Sequence, residues 1–411
     1  MPYTELNLEL TDEQQALKES VHKFAVEVMR PASLELDKMT PEEVIAEGSP
    51  FWTVMKKMYG NGYHTALVPD AYGGLGLDPL SVNIVFEELS YGSVGLTIAL
   101  GVSCFSAFFA SLVPEDRLID TFILPYVNCK DASIMSCWAI TEPQHGSDIL
   151  MPFSPGFHDP KITQQVKAVK KGDHYVVNGQ KAAWVSMGPI ANQAALFVGI
   201  DKGKGMSGGG ICLIDLNQKG VTKGKPLDKM GQRDLPQGEI YFDDAVVPAD
   251  FMIIDQESYE MFTDITLATA NASMGAFFTG VAQAAYDLAL EYCHERVQGG
   301  KLLCEHPTVR KTLFEMFMRI ETARAYARAA IVYNMSTNPP KTQYSIAAKI
   351  YSTEAAFFVT SAGIQLMGGN GLSREYQMEK LFRDARAGMI EDGSNDSLAL
   401  SAAGLILNAS E

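Results

Sequence analysis

The sequence has little of several features that would assign it to common classes of protein. Lys and Arg number 33 against 49 Asp and Glu, so the 411 residues carry a net charge of −16. A field of this sign repels phosphodiester backbones and anionic lipid surfaces, which argues against nucleic acid and membrane as partners. The chain also shows no uninterrupted apolar run long enough to cross a bilayer, and its start lacks the basic and apolar stretches of a secretory signal.

Cysteine is scarce as well. The six cysteines are scattered along the chain, without a CxxC pair and without the spacing of metal ligands. This usage is typical of reduced thiols in a cytoplasmic compartment and predicts no metal site.

Three textures follow one another along the chain. Residues 1–130 have mostly the apolar period of helices, and 131–250 form short β-branched and aromatic runs separated by Gly, Pro, Asn and Asp. One such separator, "VNGQ" (177–180), predicts a hairpin turn. Long amphipathic helices return in 251–411. We therefore predict an α+β protein with an N-terminal all-α domain, a central antiparallel β-barrel or sandwich-like domain, and a C-terminal four-helix bundle.

Two stretches of the central domain mix aromatic, apolar and hydroxyl residues. They are "WAITEPQHGSD" (138–148) and "QKAAWVSMG" (180–188). A flat redox cofactor needs walls of this kind, with an indole against its ring and hydroxyls at its polar edge. Two ordinary core strands with buried tryptophans would look the same, and either stretch alone favours that simpler interpretation.

Taken together, eight stretches make the chain resemble the acyl-CoA dehydrogenase family. They keep the family's order and spacing along nearly the whole length: "PDAYGGLGL", "FEELSYGSVG", "WAITEPQHGSD", "VNGQKAAWVS", "MGQRDLPQGEIYFDDAVVP", "GVAQAAYDLALEYCHER", "GIQLMGGNGLSREYQMEKLFRDAR" and "EDGS". The resemblance implies the three-domain fold of the family and FAD as the cofactor. It also implies oxidation of an acyl-CoA thioester at Cα–Cβ, electron-transfer flavoprotein as the acceptor, and a homotetramer.

The resemblance also assigns residues to the cofactor and the substrate. It implies that Trp184 packs on the flavin, that Ser186 lies near N5, and that Arg296 and the Gln-Gly-Gly stretch hold the FAD of a neighbouring subunit. The full cofactor set is Trp138, Ile140, Thr141, Trp184, Ser186, Arg296, Gln365, Gly368, Gly369, Ser394 and Asp396. The implied substrate contacts are Ser147, Asn271 and Gly393.

The catalytic base is assigned to "MIEDGSND" (389–396). Many family members have Tyr-Glu-Gly-Thr here, and the glutamate is the base. With Gly393 as the anchor, Asp392 takes the place of that glutamate and Glu391 the place of the tyrosine, so Asp392 is the first candidate base and Glu391 the second. Asp392 is one methylene shorter, and proton transfer needs contact distance. The alternative is that these residues cap a helix, which is compatible with a base at the same place.

Several departures from the family pattern bear on the substrate. Ala270 leaves no second base on the first long C-terminal helix, and Asn271 replaces a common arginine. Gly299 and Pro307 replace a common phenylalanine and glutamine, and residues 149–165 form an extra segment near the expected CoA entrance. These departures favour a bulky, cyclic or polar acyl group. A second hypothesis is altered chemistry on the same fold, either a non-standard elimination on a cyclic acyl-CoA or removal of a heteroatom group. A third is a flavin-poor binding protein, against which the retained tryptophans and Arg296 argue.

Overall fold

The computed structural model describes residues 5, 6 and 10–408. Helices come first, a sheet follows, and long helices complete the chain. This order is the one that the sequence predicts. The boundaries at residues 130 and 250 stay a prediction, although the last strand of the large sheet, Met252–Ile254, lies just past the second of them.

The N-terminal helices begin where the sequence provides caps. Thr11 and Gln14 form a reciprocal capping box at the first helix, and the Asp78 side chain accepts from Leu80 N and Ser81 N ahead of the fifth. A π-helical turn, Ala25–Met29, joins the first two helices. The helices are α1 Asp12–Phe24, α2 Arg30–Leu36, α3 Pro41–Ile45, α4 Pro50–Gly60, α5 Pro79–Gly92, α6 Val94–Ser103, α7 Phe105–Leu112, α8 Asp116–Leu118 and α9 Leu124–Asn128.

The central strands form one eight-stranded sheet. They are β1 Ser136–Ala139, β2 Lys167–Lys171, β3 His174–Ser186, β4 Gln193–Gly199, β5 Gly209–Asp215, β6 Val221–Lys223, β7 Gln237–Pro248 and β8 Met252–Ile254. Their order is β6-β7-β3-β2-β4-β5-β8, with β1 added beside β4. The predicted antiparallel arrangement holds for most neighbours, but β4 runs parallel to both β1 and β2. The sheet is therefore mixed. The strand β3 runs antiparallel to β2 on one side, and β4 runs parallel to β2 on the other.

The predicted hairpin at residues 177–180 is wrong. These residues lie inside β3, which pairs with β2 on one side and β7 on the other. The register with β7 shifts between Val177 and Gly179, and Gly179 has φ +134°. A Cβ at Gly179 would lie 2.8 Å from Val166 Cα. The Asn-Gly pair thus marks a β-bulge at which the backbone of Val166 comes close to Gly179. Glycine permits such a bulge for the same reason that it permits a hairpin turn, because it lacks a Cβ.

The C-terminal helices pack around one very long helix. They are α10 Tyr259–Glu295, α11 Pro307–Met335, α12 Thr342–Met367, α13 Met378–Gly388 and α14 Asn395–Asn408, and β9 Val297–Gln298 pairs with β10 Lys301–Leu302 after α10. By length and composition α10 could cross a membrane, which the sequence did not predict, but 89% of its most apolar window is buried within the protein. Its small residues allow close packing: a Cβ at Gly280 would lie 2.1 Å from Glu87 O of α5. The helix is thus the common core of the α5, α11 and α12 packing.

Candidate active site

The turn between α13 and α14 carries the two candidate bases. Glu391 N donates to Ala387 O at 3.0 Å, so the chain leaves α13 with one last helical bond. Asp392 and Gly393 then have φ +52° and +95°. Ser394 Oγ accepts from Ser397 N at 3.3 Å and caps α14. The predicted cap therefore exists beside the candidate base, and it leaves the base in a left-handed backbone conformation, which Asp tolerates better than most residues.

A buried lysine anchors this turn. Lys349 of α12 is fully buried, and its Nζ donates to Gly393 O at 2.7 Å and to Asn395 Oδ1 at 2.8 Å. Burial lowers the pKa of Lys349 to about 8, against the opposing charges of Asp392 and Glu391. The ammonium still carries its proton at neutral pH, so it places a positive charge directly behind the two acids.

Asp392 has the environment of a base. Its side chain is half-buried, and within the described part of the chain neither its carboxylate nor its backbone N–H has a hydrogen-bond partner. Burial raises the pKa of Asp392 to about 6, and the charge of Lys349 opposes this rise. A carboxylate with this pKa is ionised at neutral pH and yet binds a proton more readily than an exposed aspartate does.

Glu391 is turned toward the β6–β7 connection. Its Oε1 accepts from Gln232 Nε2 at 2.7 Å. Burial and the nearby charge of Asp392 raise the pKa of Glu391 to about 7. Gln232 thus gives the Glu391 carboxyl a defined partner, whereas the Asp392 carboxylate has none among the residues that the structure describes.

Gln232 is itself held firmly. It is buried, has φ +48°, and its backbone N donates to Asp384 of α13. Arg383 Nη1 donates to Met230 O at 2.7 Å and thereby ties the same connection to α13. A left-handed non-glycine residue persists only where its surroundings fix it, so this connection gives Glu391 a rigid partner.

The two stretches predicted to form a cofactor wall lie side by side. Ala182 N of β3 donates to Thr141 O just after β1, at 2.9 Å. The Trp184 side chain is 58% exposed, and the adjacent Ser186 is half-buried. Trp138 is buried, with its ring centroid 5.5 Å from that of Phe105. The core interpretation therefore describes Trp138, and the buried Ile140 as well, better than it describes Trp184.

The cofactor strands meet the base turn through one hydrogen bond. Ser394 N donates to Ser147 Oγ at 2.9 Å, and Ser147 lies two residues before the extra segment 149–165. His145 is mostly covered and pairs through Nδ1 with Asp148 Oδ2 at 2.6 Å. Ser147, Gly393, Ser394 and the two acids are thus brought together. Trp184 and Ser186 lie on β3, and Thr141 lies just after β1.

These residues fit a flat ring with a polar edge. An indole left largely open, a half-buried hydroxyl two residues further on, and the uncommitted N–H of Trp138 among the described residues provide a face and hydrogen-bonding groups. This is the donor and surface set that an isoalloxazine requires.

A second set of predicted cofactor residues lies elsewhere on the surface. Arg296 follows α10, and Gln365, Gly368 and Gly369 end α12; all four are exposed. Asn370 Nδ2 donates to Tyr292 OH at 3.0 Å, which links these two helix ends. Gln365 is more than four turns beyond Lys349 on α12, about 24 Å at the rise of a helix. The two sets therefore lie at opposite ends of α12.

Asn271 lies in α10 and Asp396 in α14. Asn271 is fully buried in α10, where Nδ2 donates to Leu267 O at 3.1 Å and Oδ1 has no partner among the described residues. Asp396 is exposed in the first turn of α14. Their predicted substrate and cofactor roles remain predictions.

Four polar residues of the site were missed by sequence reasoning. They are Lys229, Gln232, Gln237 and Lys349, each of which has at least one partner on another element. Only Lys349 carries a local signal, a lysine among the apolar and small residues of "SIAAKIYSTEAAFF" (345–358). A lysine buried without a partner would be costly, so its position predicts a polar partner without naming it.

Comparisons with known proteins agree with this geometry. Residues 11–111, 137–245 and 264–404 match models of the acyl-CoA dehydrogenase N-terminal, middle and C-terminal domains. The chain is 28% identical to a cyclohex-1-ene-1-carbonyl-CoA dehydrogenase of Syntrophus aciditrophicus, over 94% of this chain and 88% of the relative. It is 30% identical to a probable acyl-CoA dehydrogenase of Bacillus subtilis, over 95% and 97% of the two chains.

Solved structures agree as well. Butyryl-CoA dehydrogenase from Megasphaera elsdenii superposes with a TM-score of 0.86 at 28% identity, covering 98% of this chain and all of that one. A chain from the structural study of the electron transferring flavoprotein of Acidaminococcus fermentans gives 0.85 at 26% identity, with coverage of 98% and 100%. The fold class is thereby confirmed. The chain belongs to the acyl-CoA dehydrogenase family and is an oxidoreductase that uses FAD.

Proposed function

We propose that the protein oxidises an acyl-CoA thioester to the α,β-unsaturated acyl-CoA, with Asp392 as the base. The observation that carries this proposal is the uncommitted Asp392 carboxylate, with its pKa raised to about 6, in a turn bonded to Ser147. Electron-transfer flavoprotein is the proposed acceptor. The family resemblance supports it, and so does the match to a chain studied with such a flavoprotein.

The chain's own residues divide the work at Cα. Asp392 takes the α-proton, and its backbone N–H, which has no partner in the described residues, is available to the thioester oxygen as negative charge develops there. Lys349 fixes the next carbonyl, Gly393 O, and so holds this N–H and the carboxylate in one orientation. Bound FAD, lying against Trp184 and Ser186, would supply the two-electron oxidant for the hydride that leaves Cβ.

We further propose that the acyl group is cyclic. Asp392 is shorter than the usual glutamate, so a substrate whose α-carbon comes closer to the turn suits it better. The extra segment after Ser147 adds residues beside the turn. The similarity to a cyclohex-1-ene-1-carbonyl-CoA dehydrogenase supports the same class of substrate.

We also propose a homotetramer in which neighbouring subunits share each FAD. The exposed surface formed by Arg296, Gln365, Gly368 and Gly369 lies at the opposite end of α12 from the Asp392 turn. Glycines with no atom within 4 Å of an added Cβ, as at Gly368 and Gly369, leave room for a phosphate from outside the subunit.

Anaerobic bleaching of the flavin tests the function. The purified yellow protein is titrated with straight, branched, aromatic and cyclic acyl-CoAs, and the flavin absorbance is followed while the product is identified. Bleaching by cyclic thioesters alone, with a Cα–Cβ double bond in the product, supports the whole proposal. Bleaching by straight chains alone removes the cyclic substrate. Bleaching that persists almost unchanged in Asp392→Asn removes Asp392 as the base.

A second candidate function is tested by the same titration. Glu391 gives the site a second acid, with its pKa raised to about 7, beside the first. Two acids could serve a non-standard elimination on a cyclic acyl-CoA or the loss of a heteroatom group. If no saturated thioester bleaches the flavin but an unsaturated cyclic or heteroatom-bearing one is converted, this candidate replaces the first.

A further inference from the structure

One cross-strand pair between β3 and β7 has a fully determined hydrogen-bond pattern. Ser186, the last residue of β3, faces Gln237, the first residue of β7. Gln237 Nε2 donates to Ser186 Oγ at 3.0 Å and to Trp184 O at 3.3 Å. Both amide protons of Gln237 are therefore used on the stretch that carries the exposed indole.

Lys229 fixes the orientation of this amide. Its Nζ donates to Gln237 Oε1 at 2.7 Å and to Leu235 O at 2.7 Å. An ammonium group can only donate, so the amide must turn its oxygen toward Lys229 and its nitrogen toward Ser186. The order of donors along Lys229, Gln237 and Ser186 follows from this chemistry.

The consequence falls on the Ser186 hydroxyl. Its oxygen already accepts from Gln237, so its own proton is free to be donated to another acceptor. Ser186 is half-buried and lies beside the exposed Trp184, on the side where the flavin is expected. The backbone is constrained just beyond it, since Met187 has φ +67° and its N donates to Pro236 O at 2.7 Å.

We propose that Lys229 and Gln237 are positioning residues that hold the Ser186 hydroxyl as a hydrogen-bond donor to the flavin. The proposal rests on the proposed function only in so far as FAD lies against Trp184 and Ser186. The same chain of donors brings the positive charge of Lys229 to the cofactor side of the sheet. This charge, and a hydroxyl that donates to a flavin carbonyl oxygen, both favour the reduced, more electron-rich flavin, whereas N5 of the reduced flavin carries its own hydrogen and cannot be the acceptor. Burial lowers the pKa of Lys229 to about 8, which Glu391, Asp234 and Asp384 oppose, so the charge is present at neutral pH.

A reversal of the donor order tests the proposal. In Gln237→Glu the carboxylate can only accept, so Ser186 must donate to it and the flavin loses that hydrogen bond. At a fixed potential, set by a redox dye and without acyl-CoA, we expect the ratio of reduced to oxidised flavin to fall about tenfold, which is about 30 mV for a two-electron couple. Lys229→Met should lower the ratio in the same direction by a smaller factor.

A double-mutant comparison separates positioning from simple charge. If Gln237 acts through the hydroxyl, Gln237→Glu has at least a threefold smaller effect on the flavin ratio in a Ser186→Ala background than in the wild type. Equal effects in the two backgrounds overturn the proposal, because only the added charge would then matter. Lys225→Met is the matched control, since this exposed lysine on the same connection is removed without loss of the amide contact.

The remaining outcomes also decide. If Gln237→Glu does not retain FAD, the comparison is made with Gln237→Met, which must show a flavin ratio that depends on Ser186 in the same way. If the flavin ratio follows the proposal but no acyl-CoA bleaches the enzyme, the inference stands and the proposed reaction fails. If acyl-CoA bleaches the enzyme and neither Gln237 variant changes the flavin ratio, the proposed reaction stands and the inference about Lys229 and Gln237 fails.

Discussion

Two regions of the molecule combine a buried lysine with acidic residues, one as a structural ion pair and one at the candidate active site. In the sheet, Glu142 and Lys181 are buried and joined at 2.8 Å. Glu142 also accepts from Val166 N at 3.1 Å, and Lys181 donates to Ile140 O at 2.9 Å. At the α13–α14 turn, by contrast, Lys349 donates to Gly393 O and Asn395 Oδ1. The Asp392 carboxylate has no hydrogen bond among the described residues.

The difference shows how a fold separates structural from chemical charge. A fully bonded buried pair is costly to break and has nothing left to offer a substrate. At the turn, burial without a direct partner raises the pKa of Asp392 to about 6, and the lysine contributes only its field. The missing hydrogen bond is therefore the feature that would leave this carboxylate free to act as the proposed base.

Asp392→Asn should have the largest effect on activity. It removes the base and keeps the size of the side chain and its tolerance of the left-handed backbone, so we expect kcat to fall about 10²- to 10⁴-fold with little loss of stability. Single-turnover flavin bleaching measures the fall, and thermal unfolding measures the stability. Glu354→Gln, an exposed acid near Lys349, is the control and should leave both unchanged. A fall smaller than tenfold would mean that another group takes the proton.

Lys181→Met should have the largest effect on stability. It leaves Glu142 buried and without its ammonium partner, which costs about 3–5 kcal/mol in the free energy of unfolding. Chemical denaturation of the FAD-bound protein measures this cost. The fraction that remains folded should still bleach at a nearly normal rate. A large loss of bleaching rate without loss of stability would contradict the structural role of the pair.

Lys349→Met should affect both properties to an intermediate degree. It removes the donor to Gly393 O and Asn395 Oδ1, and each group left unbonded costs about 1–3 kcal/mol. Loss of the charge behind Asp392 also raises the pKa of that carboxyl, so the pH at which bleaching reaches half its maximum should rise. An unchanged pH midpoint would show that Lys349 acts on stability alone.

The pH dependence of the wild type should give the smallest effects. The rate of bleaching should rise with pH through about 6, as Asp392 loses its proton. The pKa of Glu391 is raised to about 7 in the folded state from an ordinary value near 4.5, so the folded state binds more protons than the unfolded one between these values. Its contribution to stability is therefore present at low pH and is lost as the pH rises toward 7. Glu391→Gln should remove that part of the loss, as measured by unfolding at pH 5 and pH 7.5.

The sequence predicts much of the fold and the place of the turn that carries Asp392. Apolar periods and caps such as Thr11 and Asp78 locate the helices, and the β-branched runs locate the sheet. The Gly-Ser pair after Asp392 identifies the turn. The Asn-Gly pair at residues 178 and 179 misleads, because local sequence does not say whether a permissive residue makes a turn or a bulge; the neighbouring strands decide that.

The hydrogen bonds that hold this turn depend on contacts between residues that are distant in the sequence. Lys349 lies 44 positions before Gly393, and Gln232 lies 159 positions before Glu391. Nothing near Asp392 in the sequence shows that its neighbours' donors are directed elsewhere. The pKa of the base is thus a property of packing between α12, α13 and the β6–β7 connection, and it appears only when those elements are assembled.

The left-handed backbone at Asp392 has a consequence for the history of such proteins. Among residues with a side chain, asparagine shares with aspartate the tolerance of this conformation, and one nucleotide change converts either into the other. A single nucleotide change can therefore replace the proposed base by an amide of the same size without disturbing the left-handed turn.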